Sequence, residues 1–190
     1  MWPKPYNTAA WTAKAGWDAV NTPMGKYTVS PARPTDIDAV LDIVRERQQW
    51  LAGQGIDQWK GYENVFPRTY FEKKQAAGEL LVACNSAGTV CAVIALLDWD
   101  PYWKGYEHSG ALYLHNLAAA PHAKGAGKTL LDFCERKARE EGYSVLRLDC
   151  KADNAALNGY YQNCGFRPVG TCRDGEYEGT LREKILDNLH

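Results

Sequence analysis

At 190 residues the chain is about one domain long, with 45% hydrophobic and 24% charged residues and a formal net charge of −1, all ordinary for a soluble globular protein. That balance excludes intrinsic disorder and leaves no basic excess to grip nucleic acid or an anionic lipid surface. The longest apolar stretch, Val90 to Leu97, is far short of the ~20 residues of a membrane span, so neither membrane nor nucleic acid is expected as a partner.

Residues 1–25 differ from the rest and are set apart as an N-terminal extension, with 26–190 as the domain. The extension carries Trp2, Trp11 and Trp17 among small and polar residues and ends at Pro23-Met24-Gly25. Lys4 has no apolar run behind it, which argues against a secretory signal. Tyr27 to Ala32 reads as a short strand. Thr35 is expected to cap the next helix, with Asp38 closing an S/T-x-x-D/E box, and Ile37, Val40, Leu41 and Val44 follow at helical spacing up to Gly53 or Gly55. A second helix is expected over Val65 to Ala77. Glu79 to Cys84 and Val90 to Trp99 read as strands joined by Asn85-Ser86-Ala87-Gly88.

Ala111 to Ala119 is another strand, followed after Pro121 by a glycine-bearing turn and a helix from about Gly127 to Glu141, stopped by Gly142. Ser144 to Cys150 reads as a strand with Arg147 and Asp149 on one face. Asn154 to Cys164 is a helix ending at Gly165, and Arg167 to Arg173 and Tyr177 to Leu186 are the last strands. The unit 111–150 is long enough for a parallel crossover, so the fold class is α/β with a mixed sheet and covered faces. None of the six cysteines stands in a C-x-x-C pair, and the four histidines form no H-x-x-x-H pattern. No metal site is expected; free, mostly buried thiols in a reducing cytoplasm fit better than disulfides.

The most informative stretch is His122-Ala123-Lys124-Gly125-Ala126-Gly127-Lys128-Thr129. A strand runs into a turn of small residues that opens a helix, so backbone amides can approach an anion at the helix's positive end. Lys124 and Lys128 can neutralise phosphate oxygens from the flanks. A tight turn with solvated lysines is the plain structural alternative. A Walker A loop would need its first glycine where His122 stands, which excludes that motif.

Lys124-Gly125-Ala126-Gly127 matches the core of the [QR]-x-x-G-x-[GA] signature of the GNAT superfamily of acyl-CoA-dependent N-acyltransferases, with His122 replacing the preferred Gln or Arg. Downstream, the helix Asn154-Ala155-Ala156-Leu157-Asn158-Gly159-Tyr160-Tyr161-Gln162-Asn163-Cys164-Gly165-Phe166 resembles that family's second motif, and Ser30 to Val40 resembles its opening strand and helix. The resemblance covers about residues 26–187. It implies a mixed, mostly antiparallel sheet of about six or seven strands, helices on both faces, and a parallel pair splayed around acyl-CoA.

It also implies roles. Leu117, Ala118 and Ala119 would offer backbone groups to pantetheine and the thioester, with the Leu117 amide a donor to the developing oxyanion. Lys124, Gly125, Ala126, Gly127, Lys128 and Thr129 would surround the pyrophosphate of acetyl-CoA, the co-substrate. Asn154 would hold the cofactor's amide side or simply cap its helix. Tyr161 stands at the family's usual general-acid position, where a phenol can protonate or hydrogen-bond the leaving thiolate; a core aromatic is the alternative. Tyr113, His115 and Leu117 are expected on one strand face by the period of two. His115 is the candidate base for the amine, against a structural hydrogen bond, with His108 and Glu107 weaker candidates.

The expected activity is acetyl transfer from acetyl-CoA to a primary amine of a small molecule or peptide, by direct attack in a ternary complex. A non-catalytic acyl-CoA-binding module is the alternative. The acceptor site is expected between Trp50 to Tyr62 and Trp99 to His108. There Trp50, Trp59, Trp99, Tyr102 and Trp103 stand beside Asp57, Asp98, Asp100 and Glu107, which suits a small cationic amine. A homodimer is compatible with the sequence.

Overall fold

In a computed structural model, residues 22–56, 59 and 61–186 are described; the extension's three tryptophans, and Asp57, lie outside them. The strands are β1 (Thr22–Met24), β2 (Tyr27–Pro31), β3 (Leu80–Cys84), β4 (Val90–Leu97), β5 (Ala111–Ala119), β6 (Val145–Lys151), β7 (Arg167–Asp174) and β8 (Tyr177–Ile185). The helices are α1 (Ile37–Gly53), α2 (Tyr62–Val65), α3 (Arg68–Ala76), α4 (Ala126–Glu140) and α5 (Ala155–Asn163). One eight-stranded sheet runs β1-β2-β3-β4-β5-β6-β8-β7. All its neighbours are antiparallel except β5 and β6. The eighth strand is β1, which turns back on β2 through Gly25 at φ 64°. That hairpin straddles the expected extension boundary at residue 25, so the sheet begins earlier than the sequence suggested.

β4 is buried along its length from Cys91, as a continuous apolar run at the centre of a sheet covered on both faces should be. α1 packs over β4 and β5 through Ile37, Val40, Ile43, Val44 and Leu51, each contributing ~1.5–3 kcal/mol by burial. α4 crosses β2 to β6, burying Ala126, Leu130, Leu131, Cys134 and Ala138. Its solvent face carries ion pairs such as Arg139 to Glu135 at 2.7 Å.

Two helix starts differ from the sequence reading. Asp36, not Thr35, closes the entry to α1: its Oδ2 accepts the Arg33 amide at 2.8 Å, while its Oδ1 pairs with the Arg33 guanidinium at 2.9 Å. The helix expected over 65–77 is α3 and begins only at Arg68, because Pro67 takes its cap position; Val65 instead ends the separate short helix α2. All six cysteines are free; Cys84, Cys164 and Cys172 are only half-buried. No helix among the described residues is long and apolar enough to cross a membrane.

The feature that shapes the site is a bulge in β5. Ala95 of β4 pairs with His115 and Val93 with Ala118, so two steps on β4 match three on β5. The extra residue is accommodated at Asn116, a non-glycine at φ 55°. Its side chain secures the kink: Oδ1 accepts from the Tyr70 hydroxyl at 2.7 Å, and Nδ2 donates to the Tyr62 hydroxyl at 2.6 Å. One extra residue inverts the faces of everything after it. His115 therefore does not share a face with Leu117, correcting the period-two expectation.

Asn116→Ala leaves the Tyr62 hydroxyl buried without its donor and keeps a β-carbon at positive φ. It should destabilise by about 2–3 kcal/mol in urea unfolding. Asn116→Gly removes the strain but not the lost bonds, so it should cost about half as much; equal losses would show that strain contributes nothing.

Candidate active site

β5 and β6 pair only from Ala111–Val145 to Tyr113–Arg147, although both strands continue, to Ala119 and Lys151. Past that point they splay, opening a wedge in the middle of the sheet. Ala120 donates to the Cys91 carbonyl at 2.9 Å. By the alternation of antiparallel pairing Ala118 bonds to Val93 of β4, and the peptide groups of Leu117 and Ala119 turn to the wedge. Ala118 is thus the member of the expected trio whose backbone faces away. The Ala119 carbonyl is held by Arg47 of α1, through Nε at 3.0 Å and Nη2 at 2.6 Å. Arg47 was not among the expected site residues, since nothing local to α1 marks it.

The glycine-bearing loop before α4 closes the wide end. Gly125 at φ 87° precedes α4, whose first regular bond runs from the Thr129 amide to the Gly125 carbonyl at 2.9 Å. Ala126 is turned back onto the Ala123 carbonyl, and the Gly127 and Lys128 amides stand at the helix's positive end. The Tyr27 hydroxyl fixes the loop by donating to the Lys124 carbonyl at 3.0 Å. Lys128 is engaged by Asp132 one turn along, so its charge is shared rather than held for an anion alone. A β-carbon on Gly127 would meet Ala119 and Leu117 at 3.8 Å and the Tyr160 hydroxyl at 4.0 Å. Leu117, Ala119, α4 and α5 therefore meet on one side of the wedge.

α5 lines that side. Asn154 caps it, its Oδ1 accepting from the Leu157 amide at 2.9 Å. Asn158 ties it to β6 by donating to the Lys151 carbonyl at 2.9 Å, while its Oδ1 accepts from Arg182 Nε at 3.1 Å. Tyr161 is buried at 7% exposure. Burial, reinforced by Cys150, Tyr160 and Asp149, raises its phenol pKa above the ordinary value. It stays protonated and able to donate.

On the opposite side stands His115. Its Nε2 lies 2.7 Å from Oδ2 of Asp100, which is fully buried and whose Oδ1 accepts the Tyr102 amide at 2.8 Å. Asp149 of β6 is the third member; the Tyr177 hydroxyl of β8 donates to it. Burial disfavours the charged imidazole, but the Asp100 hydrogen bond and the charges of Asp100 and Asp149 outweigh it, so the His115 pKa is raised above 6.5. Burial also raises the Asp149 pKa, against the pull of His115 and Tyr177. Asp100, His115 and Asp149 bring ligand-type atoms within 4.8 Å of one another, so they could hold a metal ion, although two of them already share a hydrogen bond.

The expected acceptor residues divide. Trp103 is fully buried, beneath the Arg147 guanidinium at 4.7 Å, and belongs to the core together with Asp100. Glu107 caps the Ser109 amide at 2.9 Å, and His108 is hydrogen-bonded to Tyr113, so neither is held for a proton from the wedge. Trp50 is 43% exposed. Trp59 stacks on Tyr62 at 4.5 Å, at the head of an aromatic row through Phe66 and Tyr70 that ends at Asn116.

A sheet opened between two parallel strands, with a glycine-bearing helix start at its wide end, defines the acyltransferase class suggested by the sequence. The Acetyltransferase (GNAT) family matches residues 43–166, and the chain belongs to it. The uncharacterized N-acetyltransferase YesJ of Bacillus subtilis (strain 168) is 27% identical over 159 residues, covering 78% of this chain and 86% of that protein. A GNAT-family acetyltransferase from Listeria monocytogenes 4b F2365 superposes with a TM-score of 0.70 at 24% identity, covering 84% of this chain and 95% of its own. The PaiA N-acetyltransferase of Thermoplasma acidophilum, solved in complex with coenzyme A, gives 0.65 at 20% identity, covering 84% and 98%.

A histidine with a raised folded-state pKa stabilises the protein fully below its unfolded value of ~6.5, and that contribution is lost as pH rises through the folded value. His115→Gln should therefore lower the urea midpoint more at pH 6 than at pH 9. A pH-independent difference would show that the charged imidazole adds nothing to stability.

Proposed function

We propose that the protein transfers the acetyl group of acetyl-CoA to the primary amine of a small cationic acceptor by direct attack in a ternary complex. The observation that carries this reading is the wedge itself, which has unpaired strand edges, a helix N-terminus at one end and a histidine beside two carboxylates. Pantetheine would pair with Leu117 and Ala119, and Gly125, Ala126, Gly127, Lys128 and Thr129 would surround the pyrophosphate, flanked by Lys124. Asn154, already a cap, would sit at the cofactor's amide side. The coenzyme A bound in the Thermoplasma relative supports that choice of ligand.

The acceptor's ammonium gives its proton to His115. The neutral amine forms its N–C bond at the thioester carbonyl, whose oxygen gains charge beside the Leu117 amide. Collapse breaks the C–S bond, and the amide nitrogen releases its second proton to solvent. Tyr161, its pKa raised by burial, donates a hydrogen bond to the departing thiolate rather than surrendering its proton outright. The charge of Asp149 favours a cationic acceptor, and the row from Trp59 to Tyr70 would floor its apolar body.

Acetyl-CoA should raise the thermal midpoint and ATP should not; a ligand at a hundredfold excess over Kd adds ~2.7 kcal/mol. Gly125→Asp should abolish that shift. Gly125→Ala carries the same strain at positive φ but no charge, and its β-carbon meets nothing within 4 Å; it should retain most of the shift. An unchanged shift in the Asp variant would remove the loop from the site.

Thiol release from acetyl-CoA over a panel of amines tests the reaction. Binding without release on any amine would favour an acyl-CoA-binding module. On an accepted amine, Tyr161→Phe should leave acetyl-CoA affinity intact and lower kcat about 10²-fold, the size of one lost transition-state donor. A change within threefold would make Tyr161 a packing residue.

A further inference from the structure

His115 has two ring nitrogens, and the geometry distinguishes them. Nε2 faces Asp100 Oδ2 at 2.7 Å. A carboxylate only accepts, so the proton between them sits on the imidazole. Asp100 cannot swing away: it is fully buried, its other oxygen takes the Tyr102 amide at 2.8 Å, and the turn it opens is anchored by the buried Trp103. Two other charges act on His115, Asp149 of β6, held by Tyr177 of β8, and Lys74 of α3, which opposes it, while Tyr70 of α3, Tyr113 of β5 and Cys172 of β7 are coupled to Asp100. Those act through space, whereas Asp100 touches the ring.

We infer that Asp100 is a positioning residue that fixes His115 as the Nε2–H tautomer and leaves Nδ1 as the atom that takes the acceptor's proton. The inference rests on the acetyl-transfer reading for the identity of the proton donor. The ammonium N–H bond breaks and an Nδ1–H bond forms; the imidazolium keeps its Nε2 proton, hydrogen-bonded to Asp100, and later loses the Nδ1 proton to solvent. The loop acid that the sequence assigned to the acceptor surface instead orients the base from behind.

Nitrogen-15 spectra of histidine-labelled protein test this without a known acceptor, with His115→Gln identifying the resonances. At alkaline pH the wild type should show His115 with unprotonated Nδ1. Asp100→Asn offers an NH2 donor to Nε2, so it should turn the ring toward the Nδ1–H form and lower its titration midpoint by about one pH unit or more. Asp149→Asn should also lower the midpoint, yet keep the tautomer. On an accepted amine, Asp100→Asn should reduce kcat about 10²-fold or more and move the rising pH limb downward, leaving the acetyl-CoA thermal shift in place.

A wild-type spectrum dominated by Nδ1–H overturns the inference, and decides it even if Asp100→Asn does not fold. An Asp100→Asn protein with the wild-type tautomer and midpoint overturns it as well. The assigned tautomer with no thiol release on any amine would count against acetyl transfer and not against Asp100's hold on the ring.

Discussion

Peptide groups inside a sheet must find partners, and leaving a buried one unmade costs about 1–3 kcal/mol. Between β5 and β6 the protein breaks that rule for the length of the wedge. The remainder of the site can be understood as a response. Arg47 satisfies the Ala119 carbonyl from α1, and the first amides of α4 are left to attract an anion. A ligand that is itself a chain of amides ending in phosphates fits both the edge and its end.

The bulge decides how chemistry is distributed around that opening. Because Asn116 takes up one extra residue, His115 stands on the side of α2 and α3, while Leu117 turns toward α4 and α5. In the proposed reaction the base then approaches from one side of the sheet and Tyr161 from the other. The carbonyl under attack lies between them, in the plane of the strands. A regular strand would have put His115 and Leu117 on the same side and crowded them together.

Much of this was legible in the residues. The order of strands and helices, the helix opened by Gly125, and the strand–helix pair carrying Asn154 and Tyr161 all follow from local patterns that do not depend on distant partners. What escaped was non-local. No glycine marks the bulge, because an asparagine adopts the left-handed conformation and is held there by Tyr62 and Tyr70, far away in sequence. Trp103 and Asp100 read as a surface of aromatics and acids. They fold inward because Arg147, on a strand more than forty residues later, stacks over the indole, and His115 binds the carboxylate. Asp149 gained its meaning only when β8 brought Tyr177 across to it. Pro67 is the exception, a local constraint readable in the sequence that sets the start of α3.

The wedge also divides the molecule mechanically. β5 and β6 are joined by three residue pairs, whereas β6 and β8 share seven. The sheet is thus two panels, β1 to β5 and β6 to β7, riveted along a short seam and bridged by α4. Cooperative units of this kind open with their own free energies, so amide hydrogen exchange in β6, β8 and β7 should report a different opening event from that in β3 and β4. A ligand lying along the wedge would contact both panels, and clasping them would merge the two events into one.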